Sequence, residues 1–235
     1  MGKEKADVVR ADAGRAEAVR VAEVRDRLNE AYGQPTWRQH LEPVAELVST
    51  ILSQNTNDTN RDVAYDRLRA RFPSWEEVRD ADLEDVIEAI RPAGLANQKG
   101  PRIQRALRFV TEERGTLTLD FLADWPVEEA KAWLTSIKGV GPKTAAIVLL
   151  FALGRPAFPV DTHVHRVTKR LGLIGPKVSR EKAHEVLEAL VPADDYYGFH
   201  LNLIRHGREV CSSRSPDCQA CTLRDLCDYY QEEVA

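Results

Sequence analysis

A lysine at a predicted helix start is the first residue in this sequence that could do covalent chemistry. Lys143 lies in the stretch IKGVGPKTA, directly after Pro142, and proline favours the first position of a helix. The helix dipole and desolvation both disfavour an ammonium there and lower the pKa of the amine. Because a neutral amine is a nucleophile that forms Schiff bases, the sequence predicts a catalytic lysine. A phosphate-binding or solvated lysine is the alternative.

The two glycines in front of Lys143 predict a tight turn that exposes backbone N–H groups. Glycine permits left-handed backbone and the close approach of a ligand. A helix start adds unpaired donors and a dipole that attracts anions. We therefore expect a phosphate site, and a plain helix–turn–helix corner is the alternative. The residues expected to form it are Gly139, Val140, Gly141 and Thr144.

A group that takes a proton must accompany such a lysine, and Asp161 is the only acid between residues 131 and 180. A helix over 142–153 would rise about 18 Å. The connector over 154–160, with its two prolines, can span about 23 Å when extended. The chain can therefore run back and deliver Asp161 beside Lys143. The sequence D-T-H-V is also typical of a helix N-cap, and the two roles are compatible.

The cysteines predict a metal site near the C-terminus. All four lie in one stretch with the pattern C-x6-C-x2-C-x5-C: Cys211, Cys218, Cys221 and Cys227. The N-terminus lacks an apolar signal segment, so we expect a cytoplasmic protein in which disulfides are rare. Zinc sites of four thiolates typically use two separated C-x2-C pairs, whereas one compact loop can wrap an iron–sulfur cluster. We predict a [4Fe–4S] cluster, with zinc as the alternative.

Charge is distributed unevenly along the chain, which has 235 residues and a net charge of −4. Residues 131–180 contain nine lysines and arginines against one acid, and residues 92–111 contain four against none. Two basic segments on an acidic chain indicate a localised face for a polyanion, although solvated helix faces give the same pattern. The sequence contains no run of about 18 apolar residues, so we predict no membrane-spanning helix.

The secondary-structure elements that position these residues can be predicted from the spacing of the apolar residues. Apolar residues recur mostly at helical spacing, and alternating strand patterns are nearly absent, so we predict an all-α fold of about ten helices. The stretch 142–153 is apolar almost all round and should be a central buried helix. The first 15 or so residues are charged and predict a frayed helix or tail. The predicted helices span 19–32, 44–55, 63–72, 82–90, 99–113, 127–137, 142–153, 162–173, 180–191 and 197–210.

Together, the glycine turn with its lysine, the VDTH segment and the cysteine pattern resemble the endonuclease III family of helix-hairpin-helix DNA glycosylases. The resemblance covers about residues 20–230. It implies a two-domain helical fold with a DNA-binding groove between the domains. The six-helix domain would span 36–153, and the cluster domain would combine 1–35 with 154–235. It also implies a nucleoid-associated monomer whose partner is double-stranded DNA with damaged pyrimidines or abasic sites.

The chemistry that the resemblance implies is base removal followed by strand cleavage. Lys143 would attack the sugar of a flipped-out oxidised pyrimidine such as thymine glycol, form a Schiff base and cut by β-elimination. Asp161 would help to deprotonate the lysine and stabilise positive charge on the sugar. Two alternatives stay open: a thymine or uracil mismatch glycosylase, and a non-catalytic DNA-binding iron–sulfur module. Adenine-specific relatives use a glutamate where this chain has Ser49 or Thr50.

Two loops resemble those with which the family fills the gap left by a flipped base. We call LSQNTND (52–58) the plug loop, in which either Gln54 or Asn55 would enter the stack. We call GLANQK (94–99) the wedge loop, in which Leu95 would intercalate. The cations expected to hold phosphates are Lys99, Arg102 and, in the cysteine loop, Arg214. The histidines His163, His165 and His206 are expected to be structural rather than ligands.

Overall fold

The structure, a computed structural model, describes residues 18–234. Every regular element in that range is helical, which confirms the predicted all-α class. The range divides into two compact units: one contains residues 18–37 and 158–234, and the other is Arg38–Ala157. The predicted N-terminal tail lies outside the described residues. None of the helices in that range is both long and apolar enough to cross a bilayer.

Seven α-helices form the unit Arg38–Ala157. They are α2 (Pro43–Ser53), α3 (Asp58–Arg71), α4 (Trp75–Asp80), α5 (Leu83–Ile90), α6 (Ala96–Arg114), α7 (Val127–Ser136) and α8 (Pro142–Ile147). Short 3₁₀ turns at Arg91–Ala93 and Asp120–Ala123 connect some of them. Helix α4 was not predicted because its six residues are too few to show a period, although Ser74 gives it an N-cap.

The core of this unit explains why α2 and α8 are so apolar. Helix α2 is buried at every position from Pro43 to Leu52, and α5, α6 and α8 contribute further aliphatic residues to the same cluster. The predicted central helix over 142–153 is largely buried but is not α-helical throughout. After Ile147 the chain continues as a π-helix over Val148–Ala152. That wider turn, with its i→i+5 hydrogen bonds, has no signature in an unbroken apolar run.

Within residues 18–234, the other unit contains five α-helices. They are α1 (18–32), α9 (Thr162–Arg170), α10 (Arg180–Leu190), α11 (Tyr196–Glu209) and α12 (Asp228–Glu233). Helices α9 and α11 pack closely because Gly207 lets them approach: a Cβ there would lie 3.0 Å from the Cβ of His163. The guanidinium of Arg166 spans the pair and donates to the Gly207 carbonyl at 2.8 Å.

Candidate active site and metal centre

The glycine turn joins α7 to α8 as the sequence predicted. Two aliphatic anchors, Ile137 and Val140, are buried at 0 % and 5 % exposure, and the Val140 N–H donates to the Ile137 carbonyl at 2.9 Å. Gly139 adopts φ +98°, a left-handed value that favours glycine. A Cβ at Gly139 would lie 3.3 Å from the aliphatic part of Arg102, so a side chain there would also crowd Arg102.

Backbone donors face outward at this turn. Gly139 and Gly141 are exposed, and within residues 18–234 neither N–H has a protein acceptor. Gly141 is the extended N-cap of α8, whose first turn carries further N–H groups without intrahelical partners. The Val140 N–H, by contrast, is used inside the turn, and the Thr144 side chain is buried. The donors available to an anion are therefore chiefly those of the two glycines.

Lys143 is the second residue of α8 and is half-buried, so its position at a helix start is confirmed. Asp161 is the N-cap of α9, where its Oδ1 accepts the Val164 N–H at 2.7 Å. The capping interpretation of Asp161 is thus confirmed. Lys143 belongs to the unit Arg38–Ala157 and Asp161 to the other unit. Their functional pairing stays a prediction.

The plug loop begins where α2 ends, and its two amides differ. Gln54 is half-buried: its Oε1 accepts from Arg102 Nη1 at 2.8 Å, and its Nε2 donates to the Gly139 carbonyl at 3.5 Å. Asn55 is exposed and adopts φ +52°. Gln54 is therefore engaged with the glycine turn and Arg102, whereas Asn55 is presented to solvent at the tip of the loop.

Leu95 occupies the tip of the wedge loop. It is the N-cap of α6, its carbonyl accepts the Gln98 and Lys99 N–H groups, and its side chain is 47 % exposed. Its φ of +50° is costly for a leucine, by about 1–3 kcal/mol. Within residues 18–234, Asn55 and Leu95 are the only non-glycine residues with positive φ. Left-handed backbone therefore occurs at the tips of both loops that were predicted to enter DNA, and it is strained at Leu95, whereas asparagine tolerates it.

The prediction that Lys99 holds phosphate is wrong. Lys99 is 1 % exposed, and its ammonium donates to the carbonyls of Leu52 and Ala93 at 2.8 Å each. Burial, and secondarily the charge of Arg102, lower the pKa of Lys99. The helical spacing contained a signal, because Lys99 lies on the same face of α6 as the buried residues Ala96 and Ile103. Arg102 remains half-buried beside the glycine turn.

The four cysteines converge on one cavity in the unit that contains α9 and α11. All four line it and none forms a disulfide: Cys211, Cys218, Cys221 and Cys227. Cys211 follows α11, where its N–H donates to the His206 carbonyl at 2.8 Å, and Cys227 is the N-cap of α12. Within residues 18–234, no three His, Cys, Asp or Glu side chains are grouped to hold a single metal ion.

Two of the four sulfurs lie beside nitrogen atoms of other side chains. Arg170 Nη1 lies 3.3 Å from Cys211 Sγ and also donates to the Ser212 carbonyl at 2.7 Å. His206 Nε2 lies 3.6 Å from Cys221 Sγ, while its Nδ1 lies 3.0 Å from the Tyr32 hydroxyl. Burial lowers the pKa of His206 to about 4, so the imidazole is neutral. The sequence interpretation of His206 as merely structural missed this contact with a cysteine.

Four free thiols that line one cavity are a donor set that fits a group held by thiolates. Burial, with a smaller contribution from the other cysteines, raises the pKa of Cys221 to about 11, and burial likewise raises that of Cys227. Without a metal these thiols stay protonated at neutral pH, whereas iron would deprotonate them.

The two other histidines that were considered as ligands form contacts away from the cysteines. His165 Nε2 lies 2.9 Å from the Val178 carbonyl, and His163 contacts Arg166.

Comparison with known proteins agrees with this architecture. Residues 48–193 match the family model of the HhH-GPD superfamily base excision DNA repair proteins. An endonuclease III of Sulfolobus acidocaldarius is 34 % identical over 192 residues, which are 81 % of this chain and 83 % of that protein.

Solved structures show the same fold. A non-covalent endonuclease III–DNA complex superposes with a TM-score of 0.78 at 27 % identity and covers 91 % of this chain and 96 % of that one. A trapped endonuclease III–DNA covalent intermediate gives a TM-score of 0.78 at 26 % identity and covers 93 % and 99 %. The chain therefore belongs to the HhH-GPD superfamily of base excision DNA repair proteins, as an endonuclease III-like DNA glycosylase.

Proposed function

We propose that this glycosylase removes oxidised pyrimidines such as thymine glycol and then cleaves the strand as an AP lyase. The observation that carries the proposal is Lys143 at the start of α8, directly after a turn whose glycine N–H groups face outward. Phosphate held by those groups would bring a deoxyribose to the amine. The similar endonuclease III trapped as a covalent DNA intermediate supports a covalent step for this chain too.

In the proposed reaction the Lys143 amine forms a bond to C1′ of the flipped nucleotide, and the bond from C1′ to the base breaks. The leaving base takes up a proton, and Asp161 accepts the proton that the amine loses. Opening of the sugar gives a Schiff base. Removal of a C2′ proton then expels the 3′ phosphate by β-elimination, and water releases the product from the lysine.

Most of the residues that would hold the duplex belong to the same unit as Lys143. Phosphates would bind the backbone N–H groups of Gly139, Gly141 and Thr144 at the start of α8, and the guanidinium of Arg102. Arg214, in the cysteine loop of the other unit, would add a further cation. Leu95 would intercalate because it is exposed and apolar at a loop tip. Asn55 would fill the gap left by the flipped base, because Gln54 already bonds to Arg102.

The four cysteines would hold a [4Fe–4S] cluster. The cluster would cross-link the C-terminal loop and would take no part in the reaction at the sugar. Arg170 and His206 would then donate N–H groups to the thiolates of Cys211 and Cys221. Helix α9 connects this loop to the proposed reaction. Asp161 caps its first turn, and Arg166 and Arg170 farther along it bond the loop at the Cys211 and Ser212 carbonyls.

A panel of lesion duplexes tests the proposed function. The purified protein is incubated with duplexes containing thymine glycol, a G·T or G·U mismatch, 8-oxoguanine or no lesion, with and without borohydride. We expect base release and a trapped adduct with thymine glycol. Preference for the mismatches would replace the proposed substrate with thymine or uracil. DNA binding with no base release on any duplex would leave a non-catalytic iron–sulfur module.

Removing one cysteine should release the metal and destabilise the loop. We expect the purified protein to contain iron and sulfide, and the Cys218→Ser variant to lose most of both. We expect its free energy of unfolding to fall by about 4 kcal/mol or more, since a structural metal contributes folding energy directly. Metal analysis and thermal unfolding measure these effects. Ser215→Ala, an exposed position in the same loop, is the control. Zinc without iron in the wild type would overturn the cluster assignment.

A further inference from the structure

A buried ammonium joins the segments that precede the two DNA-entering loop tips. Leu52, the penultimate residue of α2, and Ala93, the last residue of the 3₁₀ turn Arg91–Ala93, both accept hydrogen bonds from Lys99 Nζ. Each carbonyl lies at the end of a helical segment, where intrahelical donors run out and the dipole is negative. One lysine on α6 therefore donates hydrogen bonds to the carbonyls at the ends of two separate helical segments.

The burial of Lys99 costs free energy, so a contribution to stability alone does not explain it. Lys99 is 1 % exposed, and the partners that the structure gives it are two carbonyls rather than a carboxylate. Burying an ammonium carries a large desolvation cost, which neutral acceptors offset only in part. A buried polar group of this kind is explained when it specifies a geometry that apolar packing alone would not define.

The geometry that Lys99 fixes is that of two loop tips with left-handed backbone. Asn55 lies three residues after Leu52, and Leu95 lies two residues after Ala93; both tips have positive φ. The strained conformation of Leu95 persists only where the surrounding structure over-determines it. The bonds from Lys99 hold the chain immediately before each tip, so neither segment can shift without losing its carbonyl's partner.

We infer that Lys99 is a positioning residue: its ammonium fixes the spacing between the plug loop and the wedge loop, so that Asn55 and Leu95 enter the duplex together. The inference rests on the proposed function, because it assigns the two tips to a base-flipped duplex. Lys99 touches neither DNA nor the reacting sugar in this assignment. It acts by presenting the two tips as one rigid unit.

The Lys99→Met variant tests this directly, because methionine keeps an unbranched apolar chain and removes the ammonium. Gln104→Met is a matched control on the same helix. Gln104 is 3 % exposed, and its amide donates to the carbonyls of Val78 and Ala81, at the end of α4 rather than in either loop. Each variant thus removes two hydrogen bonds to the end of a helical segment. Gln104→Met also removes the bond that Arg108 Nη2 donates to Gln104 Oε1 at 3.4 Å, so the control loses no fewer bonds, but only Lys99→Met loosens the loop tips.

Three readouts separate positioning from stability. The first is base release from a lesion duplex, which should fall about 10- to 100-fold in Lys99→Met and little in Gln104→Met, since small misplacements cost that much. The second is borohydride trapping on single-stranded abasic DNA, which needs no gap filling and should stay within about threefold of the wild type. The third is fluorescence of 2-aminopurine opposite a stable abasic analogue, whose increase on binding should be lost in Lys99→Met.

The outcomes are distinct. Equal losses of base release in Lys99→Met and Gln104→Met, or an unchanged 2-aminopurine signal in Lys99→Met, would overturn the positioning role. If Lys99→Met does not fold, Lys99→Gln, which keeps amide donors on a shorter chain, replaces it and should show the same losses in weaker form. Failure of the proposed function instead appears in the wild type, as no adduct on any abasic DNA. The fluorescence readout still tests the loops in that case.

Discussion

The Lys143→Ala variant should form no borohydride-trapped adduct with abasic-site DNA, and its strand cleavage should fall on the order of 10³-fold or more. Alanine has no amine that can attack C1′ or form a Schiff base, so the covalent route is removed rather than slowed. Gel separation of trapped complexes, with the rate of cleavage on a thymine glycol duplex, measures the effect. Because Lys143 is half-buried at a helix start and alanine suits a helix, the fold should be retained.

A matched lysine shows that the loss is specific. Lys182 is exposed on α10 and pairs with Glu185, so Lys182→Ala removes one positive charge outside the proposed site. That variant should trap DNA like the wild type. DNA binding by Lys143→Ala, followed by fluorescence anisotropy, should persist, because the glycine turn holds the phosphates. An adduct in the alanine variant at wild-type yield would show that another amine is the nucleophile.

Asp161→Asn should lower base release about 10²- to 10⁴-fold while leaving the fold intact. Asparagine caps a helix about as well as aspartate, so the bond to the Val164 N–H is kept while the negative charge is lost. Without that charge, nothing at this position can take the proton of Lys143 or stabilise positive charge on the sugar. Single-turnover kinetics on a thymine glycol duplex, with thermal unfolding of the same samples, separate the two roles.

A second substitution at the same position calibrates the capping role. Asp161→Ala removes both the charge and the cap, so it should lose the same activity and in addition about 1 kcal/mol of stability, or about 2–4 °C in Tm. A wild-type rate in Asp161→Asn together with a lower Tm in Asp161→Ala would leave Asp161 as a helix cap and nothing more.

Short-range sequence signals were enough to predict which ends of helices carry the candidate site residues. Pro142 starts α8, Asp161 caps α9 and two glycines make the turn before Lys143, as predicted. Each of these features depends on a few consecutive residues whose backbone preferences are strong and independent of distant contacts. The all-α class followed for the same reason, because helical periodicity repeats within single segments.

The sequence by itself also determined which chemistry was available: one lysine at a helix start, one acid in a basic stretch and four clustered cysteines. Only the tertiary structure decided which polar side chains are committed inside the protein. Lys99 bonds two distant carbonyls, Gln54 bonds Arg102 and leaves Asn55 exposed, and His206 lies against Cys221. The physical reason is that the burial and the hydrogen-bond partners of a side chain depend on residues far away in the chain. The residue type and its sequence neighbours do not specify them.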